Sequence, residues 1–186
     1  MTAHAVGMTT FIALLRGINV GKAHRVPMAE LRALLSGLGY AGVTTLLNSG
    51  NVVFQAPSGT PVEHAEAIAR LLAEQMQVDV PVIVVTAQEL VAIVAACPLV
   101  AVNPSRLLVA FAQNAPSLGT LEALRPALAP TERFEIGPRA AYLHCAGGIL
   151  ESRAGKALLG RAGREVTTRN WATVCKLQAL AIVQSS

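Results

Sequence analysis

Two short segments concentrate the side chains that could do chemistry. Arg16-Gly17-Ile18-Asn19-Val20-Gly21-Lys22 carries two cations, an amide and two glycines, and Arg25 follows closely. Asn48-Ser49-Gly50-Asn51 adds two more amides and a hydroxyl around another glycine. Glycines let a backbone approach a ligand, and successive N–H groups on a turn can cradle an anion. Arg16 or Lys22 would then give charge-assisted hydrogen bonds to a phosphate or carboxylate. The candidate ligand-binding residues here are Arg16, Gly17, Asn19, Gly21, Lys22, Asn48, Ser49, Gly50 and Asn51. The competing reading is that the three Asn satisfy turn backbones and Arg16 pairs with a Glu. A third segment, Thr167-Thr168-Arg169-Asn170-Trp171, mixes hydroxyls, an Arg and the single Trp, and adds Thr168, Arg169 and Asn170 to the candidates. Asn170 would equally serve as the N-cap of a following helix, with Trp171, Val174 and Leu177 or Gln178 turned to a core.

Catalysis is less well supported. No Asp and no paired Glu lies in these segments, so a general base is missing, and whether the chain is an enzyme stays open. Ten Glu but one Asp, Asp79, argue against a carboxylate cage for Mg²⁺ or Ca²⁺, and no metal site and no cofactor are expected. Cys97, Cys145 and Cys175 are odd in number and far apart, which gives neither a disulfide framework nor a zinc knuckle. Three reduced thiols fit a cytoplasmic protein. Gly37-Leu38-Gly39-Tyr40-Ala41-Gly42 matches the dinucleotide fingerprint by letter, but it ends a helix and enters a strand, the reverse of the required context. Gly17 to Lys22 resembles a phosphate-binding loop one residue short, and Ala23 stands where a hydroxyl would hold Mg²⁺. His144-Cys145 sits on a strand, where alternation sends neighbouring side chains to opposite faces.

The +4 net charge resolves into +3 over residues 1–60, −4 over 61–100 and +5 over 101–186. Twelve of the fifteen basic residues are Arg, suited to bidentate contact with phosphate or carboxylate. A small anionic ligand is therefore the first expectation. RNA or single-stranded nucleic acid is the alternative, weakened because the strands that would stack bases hold one aromatic each, Phe11 and Phe54. A protein-interaction module without chemistry is the third reading, and the oligomeric state is open.

The elements that must position these residues follow from periodicity. Strand Thr10–Arg16 precedes a helix after Pro27 with Met28, Leu31, Leu34, Leu35 and Leu38 on one face. Strands Val43–Leu47 and Asn51–Gln55 flank the turn at Asn48-Ser49-Gly50. Thr60-Pro61 with Glu63 forms a capping box for a helix expected to bury Val62, Ala65, Ala69, Leu72 and Met76. Strand Val80–Val85 closes a βαββαβ order, the ferredoxin-like plait. In that plait strands 1 and 2 run parallel with strand 3 between them, so both polar loops share one edge. Residues 99–186 repeat the order: strand Arg106–Ala112, a helix near Leu118–Leu128, strands Arg133–Ile136 and Ala140–Cys145, a helix near Ser152–Gly160, an extended Glu165–Thr168 and a last helix from Trp171. The expected class is α+β, two ferredoxin-like halves with the second a diverged copy of the first. The expected division is a tag or disordered start at 1–8, with Met1 and Met8 both candidate starts, a first plait at 9–86, a connecting helix at 87–98, and a second plait with C-terminal helix at 99–186. The apolar stretch Val80–Val102 is interrupted by Pro81, Pro98 and the Thr86–Glu89 capping box, so no membrane association is expected.

Leu14 to Lys22, Val26-Pro27-Met28, Asn48 to Phe54 and Thr167 to Trp171 together resemble the hallmark segments of the domain-of-unknown-function family 1697, a bacterial family without an established activity. The resemblance runs over nearly the whole chain from Met8. It implies a duplicated α/β plait and implies that the three polar segments belong to one site. The chain departs from the family pattern at Lys22-Ala23 and at Leu47.

Overall fold

The computed structural model describes residues 7–186, so the expectation for residues 1–6 lies outside the described residues. The architecture is α+β, with two four-stranded antiparallel sheets and six α-helices among the described residues. Two compact units result: residues up to Ala87 together with Ala179–Ser186, and Gln88–Gln178.

The first sheet holds β1 (Thr9–Leu15), β2 (Ala41–Leu46), β3 (Asn51–Ala56) and β4 (Val82–Thr86) in the order β2-β3-β1-β4. Every neighbouring pair is antiparallel, so β1 and β2 run the same way with β3 between them. Phe11, Ala13 and Leu15 of β1 join a core with Leu31 and Leu35 of α1 (Met28–Gly37) and Ile68 and Leu72 of α2 (Pro61–Met76). Ile12 and Leu14, on the opposite face, are also fully buried, which is why β1 reads as an unbroken apolar run rather than an alternating one. The fully buried Leu and Ile side chains contribute about 2 kcal/mol each.

α2 begins as expected, with the Thr60 hydroxyl accepting from the Glu63 N–H and the Glu63 carboxylate accepting from the Thr60 N–H at 2.7 Å. Its buried face is rotated from the expected one. His64, Ala65, Ile68 and Leu72 point inward, while Val62 is 46% exposed. The stripe is centred on Ile68, and at 100° per residue Val62 falls outside it.

The second sheet holds β5 (Leu107–Phe111), β6 (Arg133–Ile136), β7 (Ala140–His144) and β8 (Thr167–Asn170) in the order β6-β7-β5-β8. The expected helix near Leu118–Leu128 is instead α4 (Ala115–Gly119) followed by a 3-10 segment, Thr120–Ala127. Asn114 caps Ser117 N–H at 2.9 Å and so starts the helix early. Pro126 has no N–H to give an α-helical bond, and the tighter winding accommodates it. The strand expected at Glu165–Thr168 lies at Thr167–Asn170, because a turn from Val166 N–H to Gly163 C=O at 3.1 Å holds the preceding residues. α5 (Arg153–Leu159) packs Ala154 and Leu158 into this unit's core.

In both units the last strand passes directly into a helix, β4 into α3 (Ala87–Ala95) and β8 into α6 (Trp171–Ser185). Past Ala87, α3 belongs to the second unit, where the Tyr142 hydroxyl donates to the Ile93 carbonyl at 2.6 Å. The end of α6 belongs to the first, where the Gln184 amide donates to Gly42 C=O at 3.0 Å and the Thr44 hydroxyl at 2.9 Å on the edge strand β2.

Candidate functional site

β1 and β2 deliver their C-terminal ends to one edge of the first sheet, and three contacts join the loops there. Leu15 N–H donates to Gly50 C=O at 2.8 Å. The Asn19 side-chain amide donates to Asn48 C=O at 2.8 Å. The Ile18 side chain packs over Gly50, where an added Cβ would lie 2.9 Å from Ile18 Cδ1 and 2.7 Å from Leu15 Cβ. With φ at +79°, Gly50 is required both sterically and conformationally.

The loop after β1 is built on left-handed backbone at Gly17, Asn19, Gly21 and His24. Asn19 holds it closed. Its N–H donates to His24 C=O at 3.0 Å, its side chain donates to Val26 C=O at 2.9 Å, and its Oδ1 accepts from Val26 N–H at 2.9 Å. Asn51 is buried and donates to Leu46 C=O and to Ser49 Oγ, both at 2.9 Å. The amides of Asn19 and Asn51 thus serve the turns, while the Asn48 side chain is exposed and makes no hydrogen bond with another described residue. Burial holds the half-buried Arg16 guanidinium below its ordinary value, and the Arg16 backbone N–H donates to Pro81 C=O at 3.0 Å.

The loop's outer surface carries Lys22, His24 and Arg25, all exposed. Their side chains make no hydrogen bond or ion pair with another described residue. Arg32, by contrast, donates to the Thr45 hydroxyl at 2.6 Å. His24 was missed in the sequence because a lone His carries no spacing signal; its left-handed backbone marks it only once the loop is folded.

Nine of the twelve expected site residues lie on this edge of the first unit. Thr168, Arg169 and Asn170 lie on β8 of the second. Arg169 is buried, donates to the Thr167 hydroxyl and to Thr168 C=O at 2.9 Å each, and is lowered to about 10 by burial. Asn170 Oδ1 accepts from Thr173 N–H at 2.9 Å and caps α6. Val174 and Leu177 are fully buried, and Trp171 is half-buried.

An aromatic cluster under the first sheet also escaped the sequence. Phe11 and Phe54 stack at 5.5 Å, Tyr40 stacks on Phe54 at 4.3 Å, and His64 meets Phe11 edge-on at 4.5 Å. The Tyr40 hydroxyl and His64 Nδ1 share a hydrogen bond at 2.8 Å, while buried His64 Nε2 has none. Desolvation lowers His64 from its ordinary value, against opposing effects of the Ser58 carbonyl and Glu63. The signal that could have found it is the position of His64 one turn before Ile68 on the buried stripe.

Among the described residues, no group of three or more His, Cys, Asp or Glu is placed to hold a metal, and no helix is long and apolar enough to cross a membrane. Among curated proteins no sequence matches the chain. Its fold is similar to that of the conserved bacterial protein SP0830 from Streptococcus pneumoniae, with a TM-score of 0.79, 23% identity, and 94% of this chain and 99% of that one covered. The family model described as protein of unknown function (DUF1697) matches residues 8–142, more than half of the sequence, and the chain belongs to that family.

Proposed function

We propose that the first unit binds a small ligand bearing a phosphate or carboxylate at the edge formed by the β1 loop and the β2–β3 turn. The observation that carries this reading is the pair of exposed cations Lys22 and Arg25, flanking the exposed imidazole of His24, whose side chains have no partner among the described residues, on a loop held by Asn19. A pre-formed loop spares the cost of ordering backbone when an anion binds, and the charge-assisted hydrogen bonds then offset the side-chain freedom that Lys22 and Arg25 give up. Gly17, Gly21 and Gly50 shape the loops, Asn19, Ser49 and Asn51 brace them, and Arg16 and Asn48 lie within the same segments. The reading rests on the first unit alone and assigns no catalytic residue. A base-stacking mode on the sheet lacks support, since Phe11 and Phe54 are 2% and 0% exposed within the core.

We further read each half as a ferredoxin-like plait and the second as a diverged copy of the first. The matching orders β2-β3-β1-β4 and β6-β7-β5-β8 support this, as does the strand-to-helix passage shared by both. The free cysteines Cys97, Cys145 and Cys175 support a cytoplasmic setting.

A thermal-shift titration with pyrophosphate, citrate and a single-stranded oligonucleotide tests the ligand reading. The expected result is stabilisation by the small anions that is lost in Lys22→Ala/Arg25→Ala, whose unliganded melting temperature is unchanged. Equal stabilisation of both proteins would exclude the edge, and a response to the oligonucleotide alone would favour nucleic acid.

A further inference from the structure

The second unit carries two arginines on a short turn after α5, remote in sequence from the β1 loop. After α5 ends, Gly160 N–H donates to Lys156 C=O at 3.0 Å, and Arg161-Ala162-Gly163-Arg164 turns back, with Arg164 N–H 3.3 Å from Arg161 C=O. Gly163 is buried, and a Cβ there would fall 1.9 Å from the Leu158 carbonyl oxygen, so only glycine allows the turn to seat on the helix end. Val166 N–H then donates to Gly163 C=O at 3.1 Å, which closes the turn from the other side. The backbone carrying both arginines is therefore fixed in place before any ligand arrives.

Beside the turn is a cleft of about 430 Å³ lined by Thr120, Arg161, Ala162, Arg164 and Glu165. That volume suits a small molecule. Arg161 makes no side-chain hydrogen bond or ion pair with another described residue. Arg164 approaches only Glu165, at 3.8 Å, beyond hydrogen-bond reach. With Arg161 lacking a side-chain partner among the described residues and Arg164 held only by that long ion pair, two guanidinium forks match the oxygens of one phosphate group better than two point charges would. The opposite requirement comes from Thr120 and Glu165. The Thr120 hydroxyl gives its proton to Ser117 C=O at 2.7 Å and so offers the cleft only lone pairs, and the Glu165 carboxylate likewise accepts. A ligand filling the cleft must bring an anionic group to the arginines and hydroxyl donors to the other two.

From this pairing of donors and acceptors we infer that the cleft beside the Arg161–Arg164 turn binds a phosphorylated polyol or sugar, its phosphate held by Arg161 and Arg164 and its hydroxyls by Thr120 and Glu165. The placement of Arg161 just past a helix C-terminus has a simpler use, compensation of the helix dipole, and the test separates the two. Amide chemical shifts are followed by NMR as ribose 5-phosphate is added to the full chain, with inorganic phosphate as the comparison. Saturable shifts at Thr120 and Arg161–Glu165 are expected, with ribose 5-phosphate binding more tightly than phosphate. Arg161→Ala and Arg164→Ala should each weaken binding about tenfold, as loss of a charge-assisted pair implies. Arg161→Lys should weaken it too, by losing the fork while keeping the charge, and Arg153→Ala, an exposed charge at the start of the preceding helix α5, should not. Shifts that never saturate, that survive both alanine substitutions, that follow Arg153→Ala equally, or that appear only in residues 17–25 would overturn the inference.

Discussion

The same edge occurs in both sheets, and the two differ in the loops and charges they carry. In the first unit the chain leaves β1 into a long loop with four left-handed residues before α1, and that loop carries Lys22 and Arg25, whose side chains have no partner among the described residues. In the second unit the chain leaves β5 and enters α4 after Ala112–Asn114, with no left-handed residue and no cation on the way. The adjoining β6–β7 turn does hold a cation, Arg139, but it is ion-paired with Glu89. Asn occurs at both places with different work: Asn19 closes a loop, whereas Asn114 caps a helix. A shared strand plan thus supplies an edge. The length of the connection after the first strand, and whether its cations are already paired, decide what that edge can do.

The contrast can be broken most forcefully at the turn glycines. Gly50→Ala must adopt left-handed backbone and displace Leu15 and Ile18, and should cost about 3 kcal/mol. Gly137→Ala, at the corresponding turn, meets Ala140 C=O at 3.2 Å with ordinary backbone and should cost about 1 kcal/mol. Urea unfolding of the two variants reads the difference, and equal losses would contradict the account of Gly50. The asparagines come next. Asn19→Ala removes several hydrogen bonds and should cost about 2 kcal/mol, against about 1 kcal/mol for the helix cap lost in Asn114→Ala.

Acid should distinguish the cores. Desolvation lowers His64, so as pH falls the unfolded chain takes up a proton before the folded one, and stability drops from near the ordinary imidazole value down through the folded value. Above that window the group is neutral in both states and has no effect. Urea midpoints should therefore decline on acidification in the wild type and decline less in His64→Gln, which keeps an acceptor for Tyr40 but cannot titrate. Parallel declines would remove His64 as the cause. The smallest stability effect is expected on the charges. Lys22→Ala/Arg25→Ala should change unfolding free energy by less than about 0.5 kcal/mol, and Arg139→Ala should lose about 0.5 kcal/mol with its ion pair.

Local chemistry explains what was legible in the sequence. The Thr60–Glu63 capping box, the Asn170 cap and the Asn48-Ser49-Gly50 turn are formed by residues close in the chain, and each stands where its motif indicates. The orientation of α2 was not legible, since Val62 and Ile68 are equally apolar and only the packed sheet decides between them. Pro126 lay within an apparently helical stretch, and the 3-10 winding around it depends on the cap three residues before Ser117. At the candidate edge the residue types were visible, but their division of labour was not. The partners of Asn19 are carbonyls of Val26 and Asn48, and a carbonyl has no letter in the sequence.

The return of Ala179–Ser186 to the first unit has a consequence for synthesis. β2 lies at an edge of its sheet, and Gln184 binds its Gly42 carbonyl and Thr44 hydroxyl. Those residues leave the ribosome only after the whole second unit has been made. Until then β2 presents an unguarded rim, open to pairing with a neighbouring nascent chain. The first half of the protein to be translated is thus the last to be completed.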